Sequence, residues 1–311
     1  MPGKPGKGEE TEMPDESATK RMAVRGVEDT LVTEFGDARN KSYADFLQLD
    51  VLLNLQKTFQ DPAQPDELLF LIIHQVSELW LKLMHHQIVQ MRDNIRNDEL
   101  GPALKNVDRI KAIQRQLIVS WETVLTMTPA DYMLFREALG NSSGFQSYGY
   151  RRVEFILGNR DRSTIGVHRH DAVVTAMLEE ELKAPSVYDE VIRLLARQGL
   201  DVPDDLLHRD VREPYTGDER IVALWEHVYR NTADYWDLYC LAEKLMDIET
   251  LFQRWRFDHA TAVERVIGMQ PGTGGSSGVS FLKKALNLKF FHDFYDVRSR
   301  LFYGAANGAP G

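Results

Sequence analysis

Cysteine is almost missing: Cys240 is the single one in 311 residues. A lone thiol excludes an intramolecular disulfide framework, a cysteine-rich zinc site and the CxxCH attachment of covalent haem. Positive charge is in deficit as well, with 37 Lys and Arg against 47 Asp and Glu and a formal net charge of −10. That balance argues against nucleic acid or an anionic membrane surface as partner, since both call for clustered cations. No apolar run approaches the roughly 20 residues that span a bilayer. The opening stretch MPGKPGKGEETEMPDESATK lacks the apolar segment of a secretory signal. Together these absences predict a soluble, acidic protein of the reducing cytoplasm. The length allows one large domain or two ordinary ones, either able to bury a full core.

What is present is helical periodicity. Over Glu67–Arg96 the residues Leu69, Ile72, Ile73, Val76, Leu79, Trp80, Leu83 and Ile88 recur at spacings of three and four. Leu104–Leu125 and Pro129–Leu139 continue the pattern, the latter opening with Thr128 as N-cap and Pro129 in the first helical position. A second long helix is predicted from about Ala233 to Gly268. Its buried stripe is Ile248, Phe252, Trp255, His259, Val263 and Val266, with Gly268 as stop signal. No alternating strands, Gly-punctuated hairpins or fixed-period repeats are found. The fold class is therefore all-α with one principal core. Residues 1–25, rich in Pro, Gly, Glu and Lys, are expected to be disordered, and 304–311 to form a flexible tail. The single domain then spans 26–303, and the Pro-containing segment Gly199–Asp218 is read as a connection within it.

Nine histidines invite a metal reading. His85 and His86 are adjacent, which points them about 100° apart on a helix and makes a poor chelate. His168 and His170 sit in a polar stretch and are expected to be solvated. A ferritin-like di-iron site needs Glu-x-x-His pairs on two helices, and no histidine here has Glu three residues before it. Two histidines differ by their company. His74 lies in ELLFLIIHQVSELW, on one face with Phe70 and Glu78, and His259 lies within a core stripe. Each can be a core histidine satisfied by backbone or carboxylate. A neutral imidazole facing a dry pocket is also what axial haem ligation requires, because the ligand binds through a lone pair. The Gly-rich run GTGGSSG (272–278) offers N–H groups and hydroxyls to an anion, although it lacks the lysine and preceding strand of a Walker loop. Tyr132 and Arg136 stand one turn apart, and arginine suits two-pronged carboxylate binding.

Four segments in this order resemble the tryptophan 2,3-dioxygenase family: DELLFLIIHQVSELWLKL (66–83), YMLFREALGNSSGFQSY (132–148), VEFILGNR (153–160) and RWRFDHATAVERVIGMQPGTGGSSG (254–278). The resemblance implies an all-α haem oxygenase that binds haem b non-covalently, uses O₂ as co-substrate and forms homotetramers. It implies His259 as the proximal haem ligand and His74 as the distal histidine that hydrogen-bonds the indole N–H. Phe70 resembles the aromatic wall, and Tyr132 with Arg136 the pair that holds the substrate carboxylate. Thr273 resembles the loop threonine at the amino-acid head group. Ser143 and Gly144 fall where the family closes the haem and substrate site, and Trp121 resembles a tryptophan of the pocket region. The inventory is chemically consistent with an amino-acid zwitterion at one end and an indole with one polar atom at the other.

The chain also departs from the family pattern. The usual Tyr-Gly-x-Tyr near the first helix, which in the family helps close a neighbouring subunit's pocket, is here Tyr43, Ala44, Asp45 and Phe46. Gly149 stands for a usual Gln, and Gln87 for a usual Glu. The leading expectation is dioxygenation of L-tryptophan across the indole C2–C3 bond to N-formylkynurenine. The departures at Phe46 and Gly149 motivate an alternative, single-oxygen insertion into tryptophan or a methylated relative to give an oxindole. A non-catalytic haem and amino-acid carrier is a third reading, and the intact His74 and Arg136 count against it.

Overall fold

The computed structural model describes residues 42–306 apart from residue 276, with side chains to Phe302. The expected disordered segment 1–25 and the last residues of the expected tail lie outside that range. Two compact units divide after Gln56. In the first, Ser42 opens α1 (Tyr43–Leu47) by a capping box: its hydroxyl accepts from Asp45 N–H while the Asp45 carboxylate accepts from Ser42 N–H. Gln48, at φ 51°, turns the chain into α2 (Leu49–Leu52). Neither helix buries a residue, and Tyr43 and Phe46 are exposed.

In the second unit, α3 (Glu67–Arg96) and α4 (Leu100–Val124) are joined by a short turn with Asp98 at φ 61°. α5 (Pro129–Phe135) follows, capped by Thr128 with Asp131 as its reciprocal partner, and it tightens into a 3₁₀ turn over Arg136–Leu139. The chain continues through α6 (Tyr148–Leu157), α7 (Ala172–Lys183), α8 (Val187–Arg197), α9 (Asp204–Leu207) and α10 (Glu219–Arg230). α11 (Trp236–Ile267), α12 (Val279–Ala285) and α13 (His292–Ala306) complete it, and no strand occurs among the described residues. α4 packs against both α3 and α11, α6 and α8 cover α3, and α10 packs on α13. The principal core runs through Met84, Ile88, Met91 and Ile95 of α3, Ile110 of α4, Trp225 of α10 and Leu245 and Ile248 of α11.

The helices at 67–96 and 129–139 start where periodicity and caps place them. The second long helix starts at Trp236 and stops at Gly268, whose φ of 61° combined with ψ of −141° is a conformation that only glycine adopts without strain. Three details differ from the sequence reading. His168 is not solvated: it is 4% exposed, in a 3₁₀ turn, and burial lowers its pKa. The segment Gly199–Asp218 carries α9. The third concerns α3: among the described residues it is the one helix long and apolar enough, by length and composition, to cross a membrane, with an 18-residue window of mean hydropathy 1.2 of which 17% is buried. Its N-terminal half exposes Leu68, Ile72, Val76, Leu79 and Leu83 as a stripe. Gln87 is buried and accepts from Asn106 Nδ2 (3.0 Å) and from Arg109 (3.2 Å) across the α3–α4 contact.

Candidate active site

A smaller apolar cluster caps one end of the long helices, with Val124, Met127, Phe135, Leu139 and Val266 at its centre. Phe70, Ile73, Trp121, Tyr132 and Ile267 pack against it, half-buried. It therefore draws α3, α4, α5 and α11 together at the level of the two histidines singled out above.

The helix spacing of α3 stacks His74 over Phe70, with ring centroids 4.1 Å apart. His74 Nδ1 lies 2.7 Å from the Phe70 carbonyl oxygen. A carbonyl only accepts, so Nδ1 carries the proton and Nε2 keeps its lone pair. The ring retains exposed surface, yet burial lowers its pKa; a side chain lining a concavity has both properties, because solvent reaches one face while protein crowds the others. Phe70 also meets Tyr132 at 6.1 Å and Phe135 edge-on at 5.5 Å, forming an apolar wall beside the imidazole.

His259 sits one turn beyond Trp255 on α11 and packs against two indoles that also touch each other, with centroids 6.1 Å apart. Trp121 of α4 lies parallel to it at 4.6 Å and 12°, and Trp255 is tilted at 5.6 Å. Burial, and secondarily the neighbouring His74, push its pKa down to about 4. It is thus a neutral imidazole, and no hydrogen bond to a described residue occupies either ring nitrogen. Trp121 Nε1 is buried without a partner among the described residues. Those two features fit a planar, apolar group that takes a nitrogen lone pair from His259. Among the described residues no three His, Cys, Asp or Glu side chains gather to hold a metal ion directly.

The Gly-rich loop closes against the α5 side. Arg136 Nη2 donates to the Pro271 carbonyl at 2.7 Å, and the Thr273 hydroxyl donates to the Ser142 carbonyl. Gly274 runs so close to Ser143 that a Cβ would come within 2.5 Å of the serine Cβ. Ser143 in turn caps the 3₁₀ turn Gly144–Gln146. Arg136 stands near enough to Tyr132 to lower the tyrosine pKa, against a larger upward push from burial. Tyr132 and Arg136 also border a cavity of about 300 Å³ with Met133, Glu264, Ile267 and Gln270; neither histidine lines it.

The structure brings Phe70, His74, Trp121, Tyr132 and His259 into or against one cluster, and ties Arg136, Ser143 and Thr273 to each other through a pair of loops. Gly144 is exposed, and a Cβ there would meet nothing. Tyr43 belongs to the first unit. Sequence reasoning named Trp255 only as core; its position one turn before His259 was the available signal for a place beside the imidazole. The Pro271 and Ser142 carbonyls carried no signal, because any residue supplies one.

A family model described as tryptophan 2,3-dioxygenase matches residues 28–301. A tryptophan 2,3-dioxygenase of Shewanella woodyi is 48% identical over 282 residues, covering 91% of this chain and 97% of the relative. One of Saccharopolyspora erythraea is 49% identical over 263 residues, with 85% and 94% covered. One of Exiguobacterium sibiricum is 44% identical over 282 residues, with 91% and 100% covered.

Proposed function

The chain belongs to the tryptophan 2,3-dioxygenase family, and from that premise we propose that it is a haem-dependent oxygenase that opens the indole ring of L-tryptophan with O₂ to give N-formylkynurenine. The observation that carries the reading is the pair of neutral imidazoles, His74 and His259, close enough for one to disfavour charge on the other. His259, its ring nitrogens uncommitted beside two indoles, is the residue to hold haem b. When bound, haem supplies the activation of O₂.

The chain's own share is binding and orientation. His74 Nε2, left as an acceptor by the Nδ1 bond to Phe70, takes the hydrogen bond of the single indole N–H. Phe70, Tyr132 and Phe135 provide the apolar wall, and Trp121 borders the haem side. Arg136 keeps guanidinium N–H groups beyond the one spent on Pro271 and takes the substrate carboxylate, with Tyr132 beside it. Thr273, Ser143 and Gly144 belong to the loops that close over the head group and haem edge. Desolvating the indole between these groups holds it in one orientation, a contribution distinct from the chemistry of the iron.

The exposed stripe Leu68, Ile72, Val76, Leu79 and Leu83 supports assembly of copies, and the proposed state is a homotetramer whose first unit, with Tyr43, closes a neighbour's pocket. The names of the relatives favour ring opening over the oxindole alternative that the departures at Phe46 and Gly149 motivate. Mass spectrometry of the product from L-tryptophan under ¹⁸O₂ tests the reaction: two labelled oxygens are expected, and one overturns the assignment. Light scattering of the haem-loaded protein tests the tetramer.

A further inference from the structure

Between Leu68 and Trp80, the length of α3 that carries His74, no residue is fully buried; the helix joins the principal core only from Leu81 onward. Partial apolar contacts and two carboxylates bracket this half. At the start, Glu67 is fully buried and accepts the Phe59 and Gln64 N–H groups. One turn past His74 is Glu78, whose carboxylate accepts a hydrogen bond from the Ser147 side chain.

Ser147 is the N-cap of α6, where its hydroxyl oxygen also accepts from Tyr150 N–H at 3.0 Å. Glu78 therefore reaches the positive end of α6. It enters through a gap left by a missing side chain: a Cβ at Gly149 would lie 2.5 Å from Glu78 Oε2 and only in ordinary contact, 3.5 Å, with Leu81 Cβ. The Gly149 backbone is helical, so its conformation does not call for glycine, and glycine is locally unfavourable there. The Glu78 carboxylate occupies the space that a Cβ would take.

The same first turn of α6 reaches the other histidine. Tyr150 packs on Trp255 at 5.3 Å, and Trp255 on His259. His74 in turn is bound through Nδ1 to its own helix, so its ring moves with α3. We propose that Glu78, seated in the slot left by Gly149 and held by Ser147, is a positioning residue that sets the spacing between His74 and His259. The functional consequence rests on the oxygenase reading above; the geometric one does not. Burial raises the pKa of this carboxylate, as expected for a group whose solvent has been replaced by one hydroxyl and a helix end.

The test is a cycle of Gly149→Ala, Glu78→Ala and the double variant, with Glu78→Gln as the conservative control. Since the carboxylate is the flexible end of a side chain, Gly149→Ala is expected to fold and to push it aside. Alone it should leave the melting temperature unchanged or lower it. In the Glu78→Ala background the slot is open, and the same substitution should raise the melting temperature by about 2 °C through helix propensity. In the haem-free protein, both single variants should shift the His74 ring resonances in the same direction. In the loaded enzyme they should lower kcat for tryptophan roughly 10-fold or more with KM changed far less, because orientation and not carboxylate binding is lost. Glu78→Gln keeps an acceptor for Ser147 and should stay close to wild type. Additive melting shifts, unmoved His74 resonances, or unchanged kcat in Glu78→Ala would each overturn the proposal. If the wild-type protein failed to turn over tryptophan while the melting and resonance couplings held, the oxygenase reading would fall and the positioning would stand.

Discussion

The indole of Trp121 lies flat on the imidazole of His259, 4.6 Å away and 12° from parallel, although the two residues come from different helices and opposite halves of the chain. Trp255 packs on the same imidazole, tilted at 5.6 Å, and the two indoles together restrict its rotation and help to desolvate it. A neutral imidazole in such a slot is prepared to give its lone pair away without first losing a proton.

His259→Ala is accordingly expected to yield a folded protein that loses most of its haem. α11 buries Leu241, Leu245, Ile248 and Phe252 independently of this position, so helix content by circular dichroism should persist. A Soret band with unchanged histidine ligation in the variant would remove His259 from its assigned role.

Acid should weaken the haem-free protein through the same residue. With its pKa pushed from the usual 6.5 down to about 4, folded His259 binds fewer protons than unfolded His259 between those values. Stability therefore rises with pH across that window, and the contribution is fully present above pH 6.5. At about 1.36 kcal/mol for each pH unit, the loss reaches on the order of 3 kcal/mol at pH 4. Denaturant unfolding of wild type and His259→Leu at pH 4, 5, 6 and 7 isolates it by difference, since other histidines and carboxylates titrate alike in both. A difference that is flat with pH would mean that the ring is solvated.

His74→Ala should retain haem and lose turnover, by roughly 10²-fold where the imidazole also takes the indole proton and less where it only accepts a hydrogen bond. A haem-free variant would exchange the proximal and distal roles. Because Nδ1 is committed to Phe70, a substitution that removes the ring also frees that carbonyl, and His74→Gln separates the two effects: it offers an acceptor without a titrating group.

Arg136→Leu should raise KM for tryptophan by roughly 10- to 150-fold, the value of a charged and partly desolvated hydrogen bond of about 1.5–3 kcal/mol, with the haem spectrum intact. Tryptamine, which lacks the carboxylate, should lose little further in the variant. The Pro271 bond adds a complication that the comparison resolves: if releasing the Gly-rich loop were the whole effect, both substrates would weaken equally. Arg136→Lys should recover only part of the loss, because an ammonium cannot make a planar two-pronged contact.

By itself the sequence determined what is local. Period-3.6 patterning located α3 and the stripe of α11, Thr128 and Pro129 marked the start of α5, and Gly268 marked the stop of α11, because caps and helix faces depend on neighbours a turn or less away. The placement of Phe70 under His74 was legible for the same reason. Only the tertiary structure decided which faces meet. The stacking of Trp121 on His259, the Arg136–Pro271 and Thr273–Ser142 bonds, the burial of His168 in a polar-looking stretch and the seat of Glu78 at Gly149 all join positions far apart in the chain. Such contacts follow from the angles and heights at which helices pack, which are set by the shapes of many side chains at once and leave no periodic trace in the sequence.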